Sequence, residues 1–145
     1  MKKVYVNEKW CLGCHLCEYY CAFAATGGKD FARALKDRKI HPNIHVEENE
    51  ADHISYAVNC RHCDDPLCVK GCITGALTKN ADGVVTIDKD KCIGCFTCIV
   101  SCPFGAVAPS GDGPVKKCEL CVSIADGEPM CVKGCPNAAI VFEER

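Results

Sequence analysis

Sixteen cysteines stand in four groups of four along a chain of 145 residues. The groups are Cys11-x2-Cys14-x2-Cys17-x3-Cys21, Cys60-x2-Cys63-x4-Cys68-x3-Cys72, Cys92-x2-Cys95-x2-Cys98-x3-Cys102 and Cys118-x2-Cys121-x9-Cys131-x3-Cys135. Thiolates are ligands for soft metal ions and for iron–sulfur cubes. Two-residue gaps, as in the first and third groups, let a tight loop place three sulfurs round one face of a cube. The same loop turns backbone N–H groups toward the sulfurs, where they help to set a reduction potential. The three-residue gap carries the fourth cysteine about one helical turn further on, facing a second cube. Four quartets match the ligands of four [4Fe–4S] cubes with no cysteine left over. The chemistry this implies is one-electron transfer. A lone C-x2-C pair would suit structural zinc equally well, but zinc has no use for the third cysteine of a two-residue ladder. Disulfides between such near neighbours would be strained. Zinc and disulfides are the alternatives.

Composition narrows the setting. Sixteen cysteines in 145 residues exceed the share that marks either a disulfide scaffold or a metal protein, so compartment decides. Met1 to Trp10 carries two lysines but no apolar stretch before Asn7-Glu8-Lys9, which is unlike a secretory signal. No run approaches the ~18 apolar residues of a membrane span. The expectation is a cytoplasmic, reducing location, where clustered cysteines bind metal more often than they pair. The formal net charge is −2. Each cube with four thiolates adds about −2, so the loaded protein sits near about −10. That argues against nucleic acid as a partner. The densest basic knot, Lys36, Arg38 and Lys39, reads as a solvated surface.

The elements that must position these ligands form an internal repeat: a cysteine loop, a short helix carrying the last cysteine, then an apolar strand. Strands are expected at Val4–Val6, Ile44–Val46, Ile54–Val58, Val84–Ile87, Ala106–Ala108 and Ala139–Phe142. Asp82-Gly83 belongs in the turn of a hairpin running from Ala76 to Ile87. Helices are expected over Cys17–Ala25, Phe96–Ser101 and Glu119–Ala125. Pro103 and Pro136 follow the fourth cysteines of groups three and four and stop the helix there. Ser110-Gly111-Asp112-Gly113-Pro114 is breaker chemistry and is expected to be a crossing point between modules. From Thr26 to His53 there is no cysteine. This insertion is expected to cover one module with a helix at Lys29–Lys36, turning Phe31, Ala32, Ala34 and Leu35 inward. Ile44–Val46 would then pair with Ile54–Val58.

The order and spacing resemble the four-cluster iron–sulfur subunits of the dimethyl sulfoxide reductase type, a group that also serves formate, hydrogenase and carbon monoxide dehydrogenase systems. The segment that carries the resemblance runs from Cys60-Arg61-His62-Cys63 through Asp64-Asp65-Pro66-Leu67-Cys68 to Cys72. The wide gap between Cys121 and Cys131 is the second marker. Some relatives replace a cysteine of the third group with tryptophan, whereas Cys92, Cys95, Cys98 and Cys102 are all present here.

The resemblance implies an α+β fold of two ferredoxin-like modules, each holding two [4Fe–4S] clusters, one inserted in the other. The outer module would be residues 1–25 plus 111–145, the insertion 26–53 and the inner module 54–110. One cube would take Cys11, Cys14, Cys17 and Cys135, and its neighbour Cys118, Cys121, Cys131 and Cys21. The inner module would hold one cube by Cys60, Cys63, Cys68 and Cys102 and another by Cys92, Cys95, Cys98 and Cys72. The resemblance also implies an electron-transfer subunit, not an enzyme in its own right, working between a catalytic oxidoreductase and a flavoprotein or ferredoxin acceptor. The short chain, the missing anchor and the wording Cys14-His15-Leu16-Cys17-Glu18-Tyr19-Tyr20-Cys21 look most similar to relatives that accompany nickel carbon monoxide dehydrogenases. Tungsten aldehyde oxidoreductase, hydrogenase and formate dehydrogenase are the other partners. A free polyferredoxin and a non-redox metal-stabilised scaffold are the remaining readings.

Each half of the chain, about 70 residues, is too small for a dependable core without metal. Leu12, Leu16, Ile93, Phe96, Ile99 and Val122 lie between ligands and are expected to exclude water from the cubes. With centres about 10 Å apart at an effective ε of about 20, one added electron costs its neighbour about 1.7 kcal/mol. That is about 70 mV for a one-electron couple, so four cubes in a linear relay should titrate over a spread of potentials. His15 and His62 lie inside ligand loops and are expected as ordinary solvent-facing or N–H-donating side chains. Trp10, Tyr19 and Tyr20 are expected to pack over a cube, and His41, His45 and His53 to lie on the surface. No glycine pattern fits a bound nucleotide.

Overall fold

The computed structural model describes residues 1–111, 113–122 and 128–145. Among them the backbone forms short strands and helices in alternation, and every sheet has only two strands. This is a small mixed α/β architecture compatible with a ferredoxin-like fold.

Strand β1 (Lys3–Val6) runs antiparallel to β8 (Ile140–Glu143), with Val4 opposite Phe142, so the two ends of the described chain lie side by side. The second pair is β2 (His45–Asn49) with β3 (Ile54–Val58). The third, β4 (Leu77–Lys79) with β5 (Val85–Ile87), is the hairpin expected around Asp82-Gly83, and Gly83 takes φ +83° in its turn. The fourth, β6 (Val107–Pro109) with β7 (Val115–Lys117), contains a strand the sequence did not suggest. Its connection is the breaker segment 110–114, of which Asp112 lies outside the described residues. That segment closes a hairpin, and Val115 beyond it is buried with Leu77, Val85, Cys98 and Val107.

The helices differ from expectation in which cysteine they carry. Helix α1 (Leu16–Ala24) holds both Cys17 and Cys21. Helices α3 (Leu67–Lys70), α4 (Thr97–Ser101) and α5 (Met130–Lys133) each hold the third cysteine of their group, Cys68, Cys98 and Cys131. The fourth cysteine of those groups lies just past the helix end. A helix over Glu119–Ala125 does not form across its described part, which is turn, and 123–127 lie outside the described residues. The wide gap in the fourth group instead ends in Pro129, which opens α5 as Pro66 opens α3. Proline suits a helix start because its missing N–H would be unpaired there anyway. Helix α2 (Phe31–Leu35) is capped by the Asp30 side chain on the Arg33 N–H at 2.8 Å. It lays Phe31 against Tyr20 and Phe23, at ring-centroid distances of 4.9 and 5.3 Å. Ala32 faces solvent rather than inward.

Buried side chains gather in two cores. The first joins Val4, Cys17, Ile44, Ala57, Val84, Leu120, Cys131 and Ile140, drawn from both ends of the chain and from the β2–β3 hairpin. The second joins Leu77, Val85, Cys98, Val107 and Val115, with Cys68, Cys72, Cys92 and Cys102 against it. In the first, α1 and α5 approach so closely that a Cβ on Gly134 would overlap the Tyr20 ring. The overlap includes the Tyr20 Cβ at 2.8 Å, which a side-chain rotation cannot relieve. Gly134→Ala is therefore expected to force the helices apart and cost about 1–3 kcal/mol, read as a lower urea midpoint of the loaded protein at unchanged slope.

Candidate metal centre

Three cavities account for three cysteine quartets. The first is lined by Cys11, Cys14, Cys17 and Cys135. The second is lined by Cys72, Cys92, Cys95 and Cys98. The third is lined by Cys60, Cys63, Cys68 and Cys102. In each, three thiols come from one group and the fourth from a distant one. The remaining thiols are Cys21, Cys118, Cys121 and Cys131, of which Cys131 is buried in the first core with Cys21 and Cys118 packed against it.

Local backbone explains the convergence. In the first loop Gly13 takes φ +63° and His15 +58°; in the third Gly94 takes +73° and Phe96 +59°. The two loops thus repeat one conformation. Left-handed backbone costs a non-glycine residue about 1–2 kcal/mol, so His15 and Phe96 hold it only under strong local constraint. His62 (φ +44°), Leu120 and Cys121 (both +56°) bend the other two loops. A Cβ at Gly13 would sit 2.8 Å from the Ser55 Oγ, so that position also needs glycine for space. Backbone N–H groups point at sulfur: Asn43 N to Cys21 Sγ at 3.2 Å, Leu120 N to Cys118 Sγ at 3.4 Å and Leu77 N to Cys72 Sγ at 3.5 Å.

The donor chemistry fits an anionic iron–sulfur guest. All sixteen cysteines are free thiols, and no disulfide forms among the described residues. Burial pushes the Cys17 and Cys118 thiols up to about 12 and raises Cys131 as well. Such thiols become thiolates only when a cation compensates them. Among the described residues no three Cys, His, Asp or Glu stand close enough to hold a single metal ion. His62, which lines the third cavity, supplies a further sign. Its Nδ1 accepts the Val85 N–H at 3.0 Å, so the proton sits on Nε2, and that buried N–H has no partner. A cluster sulfur would give it one.

Comparison with known proteins agrees with this donor set. The 4Fe-4S dicluster domain matches residues 51–145, which include the second, third and fourth cysteine groups. The chain belongs to the 4Fe–4S dicluster family. The first group lies outside the matched residues, but relatives align across nearly the whole chain. It is 33% identical to the B subunit of the anaerobic dimethyl sulfoxide reductase of Escherichia coli over 95% of this chain and 71% of that one. It is 34% identical to the electron transport protein HydN of the same bacterium over 93% of this chain and 83% of that one. It is 37% identical to the putative oxidoreductase AegA, also of Escherichia coli, over 94% of this chain, although it spans only 21% of that protein's length.

Several side chains of this dicluster protein stand elsewhere than expected. Leu12, Ile93 and Val122 are 65%, 67% and 61% exposed and Leu16 and Phe96 also face solvent, although Leu12 lines the rim of the first cavity and Ile93 and Phe96 that of the second. A loop that points its sulfurs inward must turn the residues between them outward. Trp10 and Tyr19 are likewise exposed, and only Tyr20 packs, against Phe31. His62 is 1% exposed, not solvent-facing, and burial together with the Lys117 charge drops it to about 3. His15 bridges Glu18 at 2.9 Å and Glu48 at 3.3 Å, and the Glu18 hydrogen bond raises its pKa. Glu18 also accepts the Val46 N–H at 2.7 Å, so the first ligand loop is fastened to β2. Lys117 and Glu119, on either side of Cys118, carry no signal in the sequence. With His62 they satisfy the outer edge of β5, Lys117 on Val85 O at 2.7 Å and Glu119 on Ile87 N at 2.8 Å.

Proposed function

We propose that the chain holds four [4Fe–4S] clusters through its sixteen cysteines and relays electrons for a catalytic oxidoreductase. Cys11, Cys14, Cys17 and Cys135 would hold one cluster, and Cys118, Cys121, Cys131 and Cys21 a second. Cys60, Cys63, Cys68 and Cys102 would hold a third, and Cys92, Cys95, Cys98 and Cys72 a fourth. The observation that carries this reading is the set of three cavities, each lined by three thiols of one group and one from a distant group. Bound clusters supply one-electron carriers. The polypeptide supplies thiolates, N–H donors onto sulfur and two small cores that hold the quartets in register.

Two ferredoxin-like modules, one interrupting the other, suit these pairings. The second core extends to Val115, which favours placing the boundary near Lys117 rather than at 110/111. One relative is an electron transport protein by name and another a subunit of a reductase, and this chain is read in the same role. The wording of the first ligand loop suggests a carbon monoxide dehydrogenase partner, but the relatives' names do not mention one; they point as readily to a reductase. A reducing cytoplasm suits sixteen free thiols. No described helix is long and apolar enough to cross a membrane.

Anaerobically purified protein is expected to contain about sixteen irons per chain, to be brown, and to bleach with dithionite. Capture of the tagged chain from its own cells should retain a catalytic oxidoreductase subunit. Zinc in place of iron would overturn the cluster reading. Recovery of the chain alone would favour a diffusing polyferredoxin.

A further inference from the structure

Lys117 is the one buried lysine among the described residues, with 3% of its surface exposed. Its ammonium donates to Val85 O at 2.7 Å and to Cys118 O at 2.6 Å. Val85 belongs to the second core, while Cys118 packs on the first. The cation is thus clamped at the seam between the two cores. Both partners are neutral carbonyls, and no carboxylate pairs with it among the described residues.

Burying an ammonium costs several kcal/mol even after relaxation, and two carbonyls offset only part of that. A negative charge nearby is needed to make the position favourable. Val85 lines the cavity of Cys60, Cys63, Cys68 and Cys102, and Cys118 is the first thiol of the fourth group. Lys117 thus stands between the third cavity and the fourth cysteine group. Under the four-cluster reading, an electron passing from one core to the other crosses this seam. A fixed cation there lowers the energy of any electron on either side, most in a site closed to water.

We propose that Lys117 is a fixed positive charge that raises the reduction potentials of the two clusters flanking the seam, those of the Cys60–Cys63–Cys68–Cys102 and Cys21–Cys118–Cys121–Cys131 quartets, over the other two. This rests on the four-cluster reading. Lys117 touches no reacting atom; it is a positioning charge that holds electrons at the two clusters beside the seam.

The test uses anaerobic holoprotein of the wild type and of Lys117→Met, Lys117→Gln and Lys117→Arg, titrated reductively with EPR detection. Glutamine keeps an N–H donor for the carbonyls and removes only the charge. In the methionine and glutamine variants two of the four midpoints should fall by at least tenfold in the reduction equilibrium, ~59 mV for a one-electron couple. The other two should hold, and arginine should stay near wild type. Four unmoved midpoints, four that shift together, or an arginine variant that behaves like methionine would each overturn the proposal. Loss of iron from all three variants would do so too, by making the lysine a structural requirement. A wild-type chain short of four clusters overturns the underlying reading, and the proposal with it.

Discussion

Removing the iron from the anaerobic protein with a chelator is expected to unfold the whole chain rather than leave an empty scaffold. Among the described residues the longest helix has 9 residues, below the ~12–15 at which an isolated helix becomes even marginal in water. Among the described residues every sheet has only two strands, which is marginal without a further layer. Cysteines fill both cores, Cys17 and Cys131 in one and Cys98 in the other, so the ligands are also a share of the packing. Without clusters, buried thiols that resist ionising are left facing hollow space. Ligation is then folding energy, and its loss should exceed the ~5–15 kcal/mol that separates a folded domain from its unfolded ensemble. Far-UV circular dichroism and proton NMR should show a coil without dispersed methyl signals. A cooperative thermal transition in iron-free protein would show that the hairpins and cores suffice on their own.

How much of this was legible in the sequence depends on whether the cause was local. Ligand loops are local: their gaps fixed the wrap of Cys11, Cys14 and Cys17, and the left-handed backbone at Gly13 and Gly94 follows from that tight turn. Strands β1, β3 and β8 showed as short apolar runs for the same reason. Strand β7 did not, because Val115-Lys116-Lys117 offers one apolar residue and owes its extension to pairing with Val107–Pro109. Helices α3 and α5 had an available signal. Pro66-Leu67-Cys68-Val69-Lys70-Gly71-Cys72 and Pro129-Met130-Cys131-Val132-Lys133-Gly134-Cys135 are nearly one motif, and both fold as a proline-opened turn of helix. Lys117 gave no hint at all. A lysine next to another lysine reads as surface, and only the tertiary meeting of β5 with the fourth ligand loop buries it.

The second large effect concerns which cysteines act together. Cys11→Ala and Cys135→Ala stand at opposite ends of the chain, yet each is expected to remove the same cluster, because both line one cavity with Cys14 and Cys17. Iron should fall from about sixteen to about twelve per chain in either variant, with the same EPR component missing. The double variant should be no worse than either single, since residues serving one unit are not additive. Cys11→Ala combined with Cys72→Ala should instead lose two clusters, because Cys72 lines the cavity of Cys92, Cys95 and Cys98. If each group bound its own cube, Cys11 and Cys21 would fail together and Cys135 would fail with Cys118. The two schemes make opposite assignments for Cys21 and Cys135. The cavity geometry favours the crossed scheme, because a sequential one would leave Cys135 facing three thiols it does not serve. Crossing also explains why β1 and β8 must pair: a cluster whose fourth ligand comes from the far end of the chain holds only if that end is brought back beside the first loop.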